Sequence, residues 1–257
     1  MIEISHLTKS YGDKKALDNV NLSIGPGEIV GLFGENGAGK TTLMHCALGY
    51  RRFEGSILLD GAPVTCRNIT RMSFATCEHS FFPQLTPQEH RTFYAAHFST
   101  FDDRRFAALM DFFHLPLNKP LRSFSTGQKN QFEVLLALSQ GANYMWMDEP
   151  FAGSDVFNRE DFYKVLLGIL QPTETVILAT HLMEEVEHFI SRAVLLREGR
   201  IIDDTSVMEL EEQGVGLMDY VKSAYGYRGD RVSRAVADLA GEEEPCCITR
   251  RCDGCRC

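Results

Sequence analysis

Residues Gly34-Glu35-Asn36-Gly37-Ala38-Gly39-Lys40-Thr41 fit the pattern G-x-x-x-x-G-K-[ST], whose chemistry is the grip on a phosphate. Glycines let the backbone wrap an anion so that successive N–H groups and a helix N-terminus point at it. Lys40 then reaches the terminal phosphates, the Thr41 hydroxyl is free to ligate Mg²⁺, and Thr42 follows in the first helical turn. A second acidic pair, Asp148-Glu149, follows the apolar run Met145-Trp146-Met147 and precedes Pro150. Carboxylates at the C-terminal end of a buried strand sit where open α/β sheets bind ligands. There Asp148 is placed to hold Mg²⁺, and Glu149 is placed to orient and deprotonate a water.

The flanks of both motifs supply the elements that must position them. Glu28-Ile29-Val30-Gly31-Leu32-Phe33 reads as a buried strand before the loop, and Leu43 to Leu48 continues at helical spacing after it. Ile2 and Ile4, then Val20, Leu22 and Ile24, alternate about the turn Ser10-Tyr11-Gly12-Asp13, which predicts antiparallel strands. Gly55 to Gly61 predicts another strand pair turning at Asp60-Gly61. From Thr86-Pro87-Gln88-Glu89 to about Leu115 the pattern is helical, opened by a Thr cap with Glu three positions on. Strand character returns at Tyr144 to Met147, Thr175 to Ala179 and Ala193 to Leu196, each after a helix, as in parallel α/β units. Arg197-Glu198-Gly199-Arg200 reads as a hairpin, and Asp204-Thr205-Ser206 as the opening of a short polar helix.

At 257 residues the chain can bury an ample core, and its net charge of −9 argues against general nucleic-acid binding. No run approaches the roughly 18 apolar residues of a membrane span, and the start lacks a signal-peptide pattern, which predicts a cytosolic protein. Cys46, Cys66 and Cys77 are scattered as reduced thiols would be. Five more cysteines crowd the stretch from Cys246 to Cys257, after Glu242-Glu243-Glu244. That tail is open to three readings: a disordered end with no specific role, a site for a soft metal such as Zn²⁺, or redox pairing.

Between the two motifs lies Ser123-Phe124-Ser125-Thr126-Gly127-Gln128, and with it the chain resembles the nucleotide-binding subunits of ABC transporters. The family signature Leu-Ser-Gly-Gly-Gln aligns with Phe124 to Gln128, with Phe for Leu and Thr for the first Gly. The resemblance covers about residues 2 to 205 and implies a P-loop NTPase core of the RecA-like α/β class. It also implies an antiparallel β subdomain, a helical subdomain inserted at about 86–142, a short helical extension at 206–241 and the Cys-rich tail at 242–257.

By the same resemblance Tyr11 stacks on adenine, His181 senses the γ-phosphate, and Asp155 lies in the loop that couples two sites. Ser125, Gly127 and Gln128 act on the ATP of a partner subunit. Where the family carries a Gln that touches Mg²⁺ and the attacking water, Glu78 is the aligned residue in Ala75-Thr76-Cys77-Glu78-His79. A carboxylate can ligate Mg²⁺, but it adds negative charge and cannot donate as an amide does. The implied whole is an ATPase using ATP and Mg²⁺, paired as a homodimer or a heterodimer, and docked on a separate transmembrane permease at the inner face of the membrane. The Tyr50 to Gly55 link and the altered signature look most like exporters of the ABC-2 type. Two other classes stay open: a soluble ABC ATPase of ribosomes or DNA, and an ATP-binding regulator that scarcely hydrolyses.

Overall fold

The structure, a computed structural model, describes residues 1–150, 156–181 and 183–226. Two sheets form it. Strands β1 (Ile2–Tyr11), β2 (Lys14–Ile24), β4 (Glu54–Leu59) and β5 (Ala62–Pro63) pair antiparallel in the order β2-β1-β4-β5. Strands β3 (Ile29–Phe33), β6 (Met72–Thr76), β7 (Tyr144–Asp148), β8 (Thr175–Ala179), β9 (Arg192–Arg197) and β10 (Arg200–Ser206) order as β10-β9-β3-β8-β7-β6. All pairings in this second sheet are parallel except the β9–β10 hairpin at its edge.

The large sheet is apolar on both faces, as a parallel sheet covered on both sides must be. Along β7, Met145 and Met147 enter one core and Tyr144 and Trp146 the other. The second core is filled from the antiparallel sheet by Ile2, Ile4 and Leu7, and from helix α1 (Lys40–Ala47) by Leu43 and Met44. The first is covered by α3 (Asp103–Phe112), α4 (Thr126–Ser139) and α5 (Val156–Ile169). The period of two thus sends alternate residues of each strand into different cores and leaves the strand ends to carry polar groups.

Helices α2 (Pro87–His97), α3 and α4 lie between β6 and β7 in the chain. The single helical stretch expected from Thr86 to Leu115 is two helices, because Phe98 is extended and Asp102 caps the second, accepting from the N–H groups of Arg104 and Arg105. Arg105, itself buried, ties this layer to the core: it donates to both Glu174 oxygens and to the carbonyls of Leu138 and Ile169. The short helix expected after Asp204-Thr205-Ser206 does open there, with Ser206 as its N-cap and Val207 as its first residue. Asp204, Thr205 and Ser206 also pair with Val194, Ala193 and Arg192, so the strand runs directly into the helix start. After α6 (Met183–Val186) and the β9–β10 hairpin, α7 (Val207–Glu212) and α8 (Leu217–Ala224) follow. The Tyr225 hydroxyl donates to the Phe33 and Leu196 carbonyls.

Candidate nucleotide site

The phosphate loop leaves the end of β3 and enters α1, as the flanking residues predicted. Gly39 has φ +114°, and a Cβ there would stand 2.6 Å from the Ala16 carbonyl oxygen, so the glycine is needed for the approach of β2 as well as for the turn. Gly34 is equally confined: its Cβ would meet the Leu196 oxygen at 2.5 Å. Two neighbouring strands thus clamp the loop from behind. Lys40 is buried and its ammonium donates to the carbonyls of Gly34 (2.6 Å) and Glu35 (3.2 Å), which holds the loop's rim together. Burial pulls its pKa below the usual lysine value, while Glu149 and Asp148 act in the opposite direction.

The register of the large sheet brings the acidic pair to this loop. Asp148 ends β7 beside Ala179 of β8 and Thr76 of β6. Its carboxyl is buried and its pKa is raised by that burial, opposed by a hydrogen bond from the Thr41 hydroxyl. A hydroxyl and a carboxylate in contact form a hard oxygen pair of the kind that binds Mg²⁺ alongside waters and phosphate oxygens. Among the described residues no group of three His, Cys, Asp or Glu is arranged to hold a metal by itself.

Glu149 takes a left-handed backbone, φ +47°, with its N–H bonded to the Ala179 carbonyl at 2.8 Å. A non-glycine residue pays strain to sit there, and such strain collects at functional sites. Its carboxylate meets the His181 Nδ1 at 2.9 Å and accepts from the Thr180 hydroxyl at 3.3 Å. Two residues 32 positions apart in sequence are therefore one hydrogen-bonded unit at the strand ends.

A cavity opens between these groups and the β1–β2 hairpin. Tyr11, Lys14, Ala16, Asn36, Gly37, Gly39, Lys40, Thr41, Thr42, Asp148 and Glu149 line it. Tyr11 is half exposed, with the Lys9 ammonium 4.9 Å from its ring centroid, which leaves an aromatic face available to a base. Glu35 and Ala38 border a neighbouring hollow behind the loop, with Asn36 and Gly37 shared.

Ser125, Gly127 and Gln128 do not line the cavity of their own chain. They begin α4, where the Ser125 hydroxyl accepts from the Gln128 N–H and the Gln128 amide oxygen accepts from the Ser125 N–H. Glu78 is exposed in the turn after β6, its N–H on the Thr76 hydroxyl. The neighbouring Cys77 is the residue that sequence reading passed over. Cys77 is exposed, yet partial desolvation raises its thiol pKa, and Asp148, Glu78 and Glu149 act in the same direction. Only the strand register, which sets Thr76 beside Asp148, could have found it. Asp155 and the Cys246 to Cys257 tail lie outside the described residues.

A second hollow lies between the large sheet and the helical layer. Tyr50, Phe74, Phe81, Phe82, His90, Phe93, Tyr94 and Phe98 line it, and Tyr50 and Phe82 are at least half exposed.

Comparison with known proteins gives a consistent answer. The ABC transporter family profile matches residues 17–152. The SkfA peptide export ATP-binding protein SkfE of Bacillus subtilis is 30% identical over 221 residues, covering 83% of this chain and 92% of the relative. The ribose import ATP-binding protein RbsA of Streptococcus agalactiae is 30% identical over 263 residues, covering 94% of this chain, and the chain spans about half (53%) of that protein's length. Among solved structures, a dimeric ATP-binding cassette in a post-hydrolysis state, bound to ADP and Pi, superposes with a TM-score of 0.71 at 22% identity, over 80% of this chain and 99% of that one. The two relatives are named for opposite directions of transport. What they share is the ATP-binding role.

Proposed function

The chain belongs to the ABC transporter family as one of its ATP-binding, ATP-hydrolysing subunits, and on that premise we propose that the site just described powers a separate membrane permease. The observation that carries the site reading is the convergence of Lys40, Thr41, Asp148 and Glu149 on one cavity, with Glu149 joined to His181. In this reading Tyr11 stacks on the base, the loop N–H groups and Lys40 hold the phosphates, and Thr41 and Asp148 hold Mg²⁺. Mg²⁺ held there would supply charge neutralisation to the phosphates. Glu149 takes the proton of the attacking water, Thr180 fixes its second oxygen, and His181 carries the state of the γ-phosphate to the strand end.

Loss of the Tyr11 ring in Tyr11→Ala should weaken ATP binding about fivefold to 150-fold, since stacking on a base contributes about 1–3 kcal/mol. Titration calorimetry with ATP reads this directly; an unchanged affinity would remove Tyr11 from the site.

The chain carries one phosphate loop and one signature, and among the described residues the signature does not line the cavity at its own chain's phosphate loop. A head-to-tail pair of cassettes then completes two sites, and a second copy suffices because each copy holds both halves. Asp155 is assigned to the coupling between them. Among the described residues no helix is long and apolar enough to cross a membrane. The permease is therefore assigned to another chain, seated on the aromatic hollow at Tyr50, Phe82 and Phe93, with this subunit peripheral on the cytoplasmic face. The short Tyr50 to Gly55 link and the Ser-Thr-Gly-Gln signature favour the exporter side of the family. The test is phosphate release by the purified chain alone and in complex with its membrane partner. Stimulation in the complex is expected; ATP binding without release in either state would leave a regulator in place of a motor.

A further inference from the structure

Helix α4 carries a carboxylate that the catalytic reading leaves unused. Glu133 lies two turns beyond the signature, about 12 Å along the helix from Ser125 at 1.5 Å per residue. It is 2% exposed. Among the described residues no cation pairs with it, an arrangement rare enough for a buried acid to need a reason.

Its partners lie at the end of β6 and in the segment that follows it. The Ser80 N–H donates to both carboxylate oxygens, at 3.0 and 3.1 Å, and the Ser80 hydroxyl donates to one of them. Ser80 belongs to the segment 77–81 that leaves β6 and carries Cys77, whose thiol lies in the field of Asp148 and Glu149, followed by Glu78. The Phe81 backbone also bonds the carboxylate, and the Phe82 N–H goes to the His90 Nε2 at 3.1 Å. Side chains of the helical layer thus hold backbone amides that the sheet no longer reaches. His79, at φ +61°, makes the bend that turns the segment toward Glu133.

We propose that Glu133 is a positioning residue for ATP turnover: ionised, it fixes the segment 77–81 against α4, so that Cys77 keeps its place near Asp148 and Glu149, with Glu78 held next to it, while α4 presents the signature. The inference rests on the ATPase reading of the site. It joins three things through one side chain: the water end of this chain's site, the signature helix offered to a second cassette, and the rim of the aromatic hollow.

Burial pushes the Glu133 carboxyl from its ordinary 4.5 up to about 7, while hydrogen bonds from Ser80 and from the backbone of Thr76 and Phe81 oppose the rise. The titratable groups facing it are the Tyr50 and Tyr94 hydroxyls, whose own pKa values its charge helps to raise. His79 and His90 flank the segment and burial lowers both imidazoles; Lys129 lies one turn earlier on α4, and Glu89 lies beside His90. A raised acid binds its proton more tightly folded than unfolded. Its stabilising contribution is complete below about pH 4.5 and is lost as pH rises through about 7. The clamp formed by the carboxylate therefore exists where the fold gains least from Glu133, and this separates positioning from mere support.

The experiment uses the purified full chain with Glu133→Gln and Ser80→Ala, measuring ATP affinity, phosphate release between about pH 6 and pH 9, and melting near pH 8. Glu133→Gln should bind ATP within about twofold of wild type and turn over at least about fivefold more slowly at pH 8, since small misplacements at a reacting centre are costly. Its rate should lose the acid limb near pH 7, and it should melt no lower than wild type. Ser80→Ala removes a donor that lowers the carboxyl's pKa, so its acid limb should move to higher pH. A wild-type rate profile in Glu133→Gln overturns the proposal, as does a slow variant that also melts well below wild type. If the wild-type chain releases no phosphate, the ATPase reading itself fails. Hydrogen exchange at Ser80 and Phe81 still decides the clamp: faster exchange in Glu133→Gln supports it, and equal exchange overturns it.

Discussion

Replacing Glu149 with Gln should lower phosphate release by about 10²- to 10⁴-fold while ATP still binds, the range for loss of a general base. The amide has the same shape, so the backbone bond to Ala179, the left-handed turn and the contact with the Thr180 hydroxyl can persist. What disappears is the acceptor for the water's proton and the charge that His181 meets at 2.9 Å. With Glu149 assigned to the water and not to the resting phosphates, affinity is expected to change by no more than a few-fold. Calorimetry and a coupled phosphate assay on the same preparation separate the two effects. Near-normal release by Glu149→Gln would reassign the base, with Glu78 the next carboxylate to change.

Lys40→Ala should act on the other term and weaken ATP binding by about 100-fold or more, because hydrogen bonds to charged groups contribute about 1.5–3 kcal/mol each and the ammonium makes several. The side chain is buried against the Gly34 and Glu35 carbonyls, so its loss removes both the charge that meets the phosphates and the brace on the loop's rim. It also leaves Asp148 and Glu149 without the nearby cation that acts against their repulsion. Equilibrium ATP titration checks the loss. An affinity within threefold of wild type would show that the loop N–H groups carry the phosphates by themselves.

The parts of the site that could be read from sequence are those whose chemistry depends on consecutive residues. The phosphate loop needs Gly39, Lys40 and Thr41 in order, and Thr86 and Glu89 form the reciprocal cap expected from their spacing. The strands around Met145 to Met147 announced themselves because burial on both faces demands unbroken apolar runs. Features made by long-range register stayed hidden. Cys77 acquires its carboxylate neighbours only when β6 lies beside β7, and Glu133 looks like an ordinary helix-surface glutamate until α4 packs on that segment. At Asp204 the local part was legible and the rest was not: the helix opens at Ser206 as the residues suggest, while the pairing of Asp204 with Val194 and the two hydrogen bonds it accepts from Arg192 come from long-range register.

The site is presented as half of an ATP site, closed by the signature of another cassette. Sedimentation of the full Glu149→Gln chain with saturating ATP and Mg²⁺, beside the same chain carrying Gly127→Asp, tests this most directly. A two-cassette particle is expected that forms only with ATP and is lost with Gly127→Asp, whose carboxylate would repel the partner's γ-phosphate. A single-cassette particle at full ATP occupancy, unaffected by Gly127→Asp, would contradict it.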